Sequence, residues 1–98
     1  MMDLKWSNVA KQDMQSIYDF IARDSVYYAN EYTDKLFESA ERLEEFPYSG
    51  RIVPEIGDEN VREIIYGVYR LMYYIDERKN IVTVTQISHG SQQFTIHK

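Results

Sequence analysis

Five side chains between Gly50 and Gly90 carry most of the chemistry open to this 98-residue chain: Arg51, Glu55, Arg62, Arg70 and His89. They sit in short motifs, Gly50-Arg51, Pro54-Glu55, Val61-Arg62-Glu63, Tyr69-Arg70-Leu71 and His89-Gly90, within a region otherwise rich in strand formers. Such a set suits either acid/base work on a phosphodiester or docking onto an anionic partner. Cleaving RNA by transesterification needs a base for the 2′-hydroxyl, an acid for the leaving 5′-oxygen, and cations to balance the phosphorane. Glu55 is the candidate base. His89 is the candidate acid, because imidazole titrates near neutrality unaided. Arg51, Arg62 and Arg70 are candidate phosphate clamps, since one guanidinium matches two phosphate oxygens. The scheme calls for no cofactor and no metal, and two His with no Cys offer a transition-metal site little support.

Each of these residues also has a purely structural reading. Glu55 fits a solvated loop acid. Arg70 alternates with Tyr69 and Leu71 along a strand, so it points away from both, either onto an open face or towards Glu63 across the strands. Arg62, beside Glu63, is equally ambiguous. His89 before Gly90 fits a polar strand end where glycine allows a sharp exit. His97 lies one residue from the C-terminus and carries no argument.

The elements that must hold these residues can be read from periodicity. Met2 to Trp6 reads as a first strand. Ser7 is placed to cap a helix over Asn8 to Arg23, whose stripe is Ala10, Met14, Ile17, Tyr18 and Ile21. Asp24-Ser25 breaks the chain and Ser25 caps a second helix over Val26 to Glu45, with Ala29, Tyr32, Leu36, Ala40 and Leu43 facing inward. Asp34, Glu38, Glu41, Arg42, Glu44 and Glu45 form its solvated side, and Pro47 stops it. So short a joint implies an antiparallel helix hairpin. Pro47 to Asn60 reads as a loop. The period then becomes two, with strands over Arg62 to Tyr66, Tyr69 to Ile75 and Ile81 to Ser88, a turn or bulge at Gly67 and a hairpin turn over Glu77 to Asn80. The expected fold is α+β, in the order β-αα-βββ, with the helix hairpin packed on one face of a small, mostly antiparallel sheet. Residues 1–98 make one domain, too short for a second core.

Composition narrows the function. Hydrophobic residues make 44% and charged residues 28%, as in ordinary globular domains. No Cys is present, which excludes disulfides and thiolate chemistry. No apolar run approaches the ~20 residues that span a bilayer, and the N-terminus lacks the basic start and apolar core of a signal peptide. A cytoplasmic protein with no membrane partner is expected. A net charge of −5 argues against a general nucleic-acid binder, so any such contact must be local. Nine tyrosines are many; phenols serve both as core fillers and as contact surfaces. Tyr27, Tyr28 and Phe37 fall outside the helix stripes and could join a docking surface.

Taken in order, Trp6, the two amphipathic helices, Leu43 with Pro47, and the five motifs with Tyr73 resemble the RelE/ParE superfamily, toxins of bacterial type II toxin–antitoxin systems. The resemblance implies a growth-inhibiting toxin neutralised by a cognate antitoxin, which usually lays an acidic or amphipathic tail across the toxin. It implies one of two targets. The YoeB-like branch cleaves mRNA on the ribosome without metal, and Glu55, Arg70 and His89 match its catalytic positions, with Arg62 at a phosphate contact. The ParE branch poisons DNA gyrase, and its Gly-Arg, Pro-Glu, Arg-Glu, Tyr-Arg and His-Gly pattern stands here in full. Gly90 after His89 tips the likeness towards ParE. Gln92 stands where ParE-like chains often carry Arg, and the acidic charge departs from ribosome-dependent nucleases. A weakly active member that only binds its antitoxin is the third reading.

Overall fold

The structure, a computed structural model, describes residues 1–90. Strand β1 (Asp3–Trp6) leads into helix α1 (Asn8–Ala22), then α2 (Val26–Glu41), a 3₁₀ turn at Arg42–Glu44, and strands β2 (Arg51–Ile52), β3 (Val61–Tyr66), β4 (Tyr69–Asp76) and β5 (Ile81–His89). They form one five-stranded sheet in the order β1-β5-β4-β3-β2. Among the described strands only β1 runs parallel to its neighbour, β5; the other pairs are antiparallel. The expected α+β arrangement holds, with one strand more than the sequence suggests.

Both helix starts are fixed by serine. Ser7 Oγ accepts from Ala10 N at 3.0 Å and also donates to Thr85 O, tying α1 to β5. Ser25 Oγ accepts from Tyr28 N at 3.1 Å. Each satisfies an amide that the helix itself leaves unpaired. Two departures from expectation are larger than a single residue at an element's end. The second helix was expected to reach Glu45, yet the α-helix ends at Glu41 and tightens into the 3₁₀ turn. That tightening carries Leu43 into full burial and lets Glu44 O accept from Met2 N at 2.9 Å. The loop expected over Pro47 to Asn60 contains β2, a two-residue strand pairing Arg51 with Glu63 and Ile52 with Arg62. Two residues are too few to show a period.

The core lies between the hairpin and one sheet face. Ala10, Met14 and Ile17 of α1 and Leu36 and Ala40 of α2 meet Leu71, Tyr73, Ile75, Val82, Val84 and Ile87. Ala29 is buried as well, while Tyr18, Ile21 and Tyr32 of the expected stripes are half-buried and Thr33 is buried beside them. Thr33 Oγ1 resolves its burial by donating to Ala29 O at 2.8 Å. Among the described residues no helix is long and apolar enough to cross a membrane.

Candidate functional site

Strand alternation sends Leu71 and Tyr73 to the helices and Arg70 and Met72 to the other face. On that second face Glu63 stands opposite Met72, and Arg51 opposite Glu63. The result is a chain of ions. Arg51 Nε donates to Glu63 Oε2 at 2.5 Å, and Arg70 Nε donates to Glu63 Oε1 at 2.7 Å. Arg70 then reaches Glu55 with two further bonds, Nη1 to Oε2 at 2.8 Å and Nη2 to Oε1 at 3.0 Å. The Glu63 side chain is 0% exposed, and Arg70 is buried with it. A buried carboxylate persists as an ion only when paired, and here two guanidinium groups pair it.

The loop that brings Glu55 is folded down by apolar and backbone contacts. Val53 is fully buried; its N donates to Val61 O at 3.2 Å, and its carbonyl accepts from Ile56 N and Gly57 N. Hydrogen bonds from Arg70, aided by the loop backbone, hold the Glu55 carboxyl at about 2, far below the usual carboxylate range. Glu55, then Glu63, raise the Arg70 guanidinium in turn, so it stays charged. A carboxylate that titrates near 2 has little appetite for a proton at neutral pH.

Arg62 faces the helix side, opposite Tyr73. Its Nε donates to Glu59 O at 2.9 Å, and Nη1 donates to Tyr48 O at 3.2 Å and Gly50 O at 3.0 Å. The guanidinium also lies 5.0 Å from the centre of the Tyr48 ring. Arg62 thus closes the Pro47–Asn60 segment onto itself. Gly50 is required for the same closure. Its N donates to Tyr73 Oη at 3.0 Å, while Tyr73 Oη donates to Pro47 O at 2.7 Å. A Cβ at Gly50 would lie 2.5 Å from Tyr73 Oη and 2.6 Å from Glu63 O, so no larger residue fits.

His89 is placed elsewhere. It pairs in register with Tyr69, its ring 5.7 Å from the Tyr69 ring, and it lines a groove with Asp13, Ser16, Ile17 and Phe20 of α1. A bulge decides this. Between β4 and β5 the register shifts at Met72/Tyr73, where Thr85 is the extra residue. Without it Arg70 would face Ile87, and His89 would share the Arg70 face. One added residue turns the strand end over. The structure therefore brings Glu55, Arg70 and Arg51 together around Glu63, and sets His89 on the opposite side of the sheet. Glu63, the centre of the group, entered the sequence reading only as a possible cross-strand mate of Arg70. Its position between Arg62 and Ile64, both turned to the helices, was the signal available.

Comparison with known proteins resolves the class. The family model described as "ParE toxin of type II toxin-antitoxin system, parDE" matches residues 4–94. The chain belongs to the ParE toxin family. It is thus a toxin of the type II toxin–antitoxin class within the RelE/ParE superfamily. No curated protein sequence matches this ParE-family chain significantly. Among solved structures it is similar to the chromosomal ParDE toxin–antitoxin system of P. aeruginosa, with 20% identity, TM-score 0.73, and 91% of this chain and 96% of that one covered. It is similar as well to a RelBE toxin–antitoxin complex of Mycobacterium tuberculosis (19%, TM-score 0.65, 90% and 96% covered) and to the isolated E. coli RelE toxin (15%, TM-score 0.67, 95% and 88% covered). At these identities the structural likeness speaks to the fold, and the family match to the class.

Proposed function

We propose that this ParE-family toxin acts by protein contact on DNA gyrase and is neutralised by a cognate antitoxin. The observation that carries this reading is the closed set Arg51–Glu63–Arg70–Glu55. Arg70 spends its guanidinium on two carboxylates of its own chain, and Glu55 is held at a titration point unsuited to a general base. Two positive and two negative charges cancel, so the group offers a phosphate little net attraction. The net charge of −5 supports the same direction, as does the match to the ParE model.

The rival reading is a metal-independent, ribosome-associated mRNA endoribonuclease with Glu55 as base, His89 as acid and Arg70, Arg62 and Arg51 on phosphate. It requires Arg70 to leave Glu55 and His89 to act from the far face of the sheet. Two assays separate the readings. Purified toxin is expected to block supercoiling by gyrase in vitro and to leave mRNA 5′ ends unchanged by primer extension in a cell-free translation system. New ribosome-dependent 5′ ends, abolished by His89→Ala, would replace the gyrase reading with the nuclease one. Inactivity in both assays would mark a member that only binds its antitoxin.

A further inference from the structure

Where β2 begins, the end of α2 and the outer edge of β3 bound a cleft of about 380 Å³, lined by Ser39, Arg42, Ser49, Arg51, Ile64 and Ile65. Neither target reading uses Arg42 or this edge. The edge is open by parity. Asn60 O accepts from Ile75 N, and Val61 O accepts from Val53 N. The backbone groups of even-numbered β3 residues therefore turn to β4, and those of odd-numbered ones turn to the β2 side. Arg51, the first residue of β2, stands opposite Glu63. Ile65, next in the odd series, thus has no strand beside its outward N–H and C=O among the described residues. An edge of this kind is a template for a further strand. The Ile65 side chain beside it is 53% exposed.

Charge selects what that strand can be. Arg51 gives Nε to Glu63, which leaves its two terminal nitrogens without a partner among the described residues. Arg42, at the end of α2, enters no ion pair among those residues. Glu38, Glu41 and Glu45 are its neighbours in sequence, yet none lines the cleft, and Glu38 is engaged by Lys35. The Glu63 carboxylate is 0% exposed and covered by Arg51 and Arg70, while Glu55 answers Arg70 outside the cleft. The lining therefore keeps a positive excess on a chain whose net charge is −5. A phosphate would meet the arginines and leave Ile65 unanswered. A peptide offers carboxylates to the first and its own backbone to the second. We propose that this cleft takes a short acidic stretch of the target protein, added beside Ile65 to extend the row that β2 occupies, with its carboxylates on Arg42 and Arg51. That the target is gyrase rests on the reading above; the preference for an acidic strand stands apart from it.

The two parts are tested separately. The whole ¹⁵N-labelled chain is titrated with acetyl-Asp-Val-Asp-Val-Asp-amide, with its Lys-Val-Lys-Val-Lys counterpart, and with a short uridine oligonucleotide. Shifts centred on the Ile65 amide and the Arg42 and Arg51 side chains, saturating for the acidic peptide alone, are expected. Arg42→Glu should weaken that binding about tenfold. Ile65→Pro should weaken it as well, because it removes the outward N–H and spares every bond to β4. Equal response to the basic peptide, tighter binding of the oligonucleotide at the same residues, or shifts spread over the surface would overturn the acidic-strand site. Inhibition of gyrase supercoiling is then compared for the parent, for Arg42→Glu and for Lys79→Glu in the β4–β5 turn. Arg42→Glu should need about tenfold more protein for the same inhibition, and Lys79→Glu no more than the parent. Equal potency of Arg42→Glu and the parent removes gyrase as the owner of the acidic stretch. A parent that leaves supercoiling intact overturns the gyrase reading itself, and the peptide titration alone then decides the cleft.

Discussion

Replacing Arg70 by Leu takes away the cation that covers the buried Glu63 carboxylate from the β4 side. Glu63 would then keep only Arg51, whose side chain is 55% exposed and already shared with solvent. Removing one partner from a buried ion pair costs about 3–5 kcal/mol, because the remaining charge is desolvated without compensation. With 98 residues the unfolding entropy comes to about 0.2 kcal/mol/K, so Arg70→Leu should lower the melting temperature by roughly 15–25 °C. The decisive comparison is the double variant Glu63→Leu/Arg70→Leu. It removes both buried charges, leaves Glu55 and Arg51 in solvent, and puts apolar volume beside Met72. Such exchanges are often neutral, so the double variant should regain most of the lost stability. Thermal unfolding by circular dichroism reads all three proteins. An Arg70→Leu variant that melts within about 5 °C of the parent, or a double variant as unstable as the single, would refute the argument that Glu63 is an ion kept buried by its partners.

Two further outcomes follow from the same region. Glu55 has a folded-state titration point near 2, below its ordinary 4.5. Its contribution is therefore complete above pH 4.5 and fades as the pH falls towards 2. A ¹³C NMR titration should find the Glu55 carboxyl midpoint near 2 in the parent and in the ordinary range in Arg70→Leu; a parent midpoint above 4 would contradict the bidentate bond. Gly50→Ala should destabilise the chain by about 1–3 kcal/mol or more through overpacking, read as a lowered denaturation midpoint. Adding Tyr73→Phe should recover part of the loss, since the hydroxyl is the nearest obstacle.

Much of the frame was legible in the chain. Both helices announce themselves by a serine cap and a stripe, and the switch to a period of two marks β3, β4 and β5. The site was legible in part. Alternation alone predicts that Arg70 turns from Tyr69 and Leu71 and can reach Glu63, and it does. The side taken by His89 was not legible, because it depends on a bulge at Thr85 that no local residue preference announces. Nor does the sequence reveal that Arg62 is consumed by three backbone carbonyls, since these belong to a loop whose closure is set by Tyr73 and Gly50. Local pattern finds elements; parity across a bulge and closure of a loop are decided by the assembled sheet.

The parallel pairing of β1 with β5 has a consequence for when this toxin can exist. Asp3 sits opposite Ile81 and Trp6 opposite Val84, and Ser7 N donates to Val84 O at 2.9 Å. The first strand made is thus completed only by the last of the described strands. A nascent chain can form its hairpin early, because those contacts are local, but β1 has no neighbour in the sheet until β5 has been synthesised. Contacts so distant along the chain form late and slowly. The finished surface, and with it any harm the protein does, appears only after translation of the whole sheet, which gives a partner that must intercept it a defined interval in which to be ready.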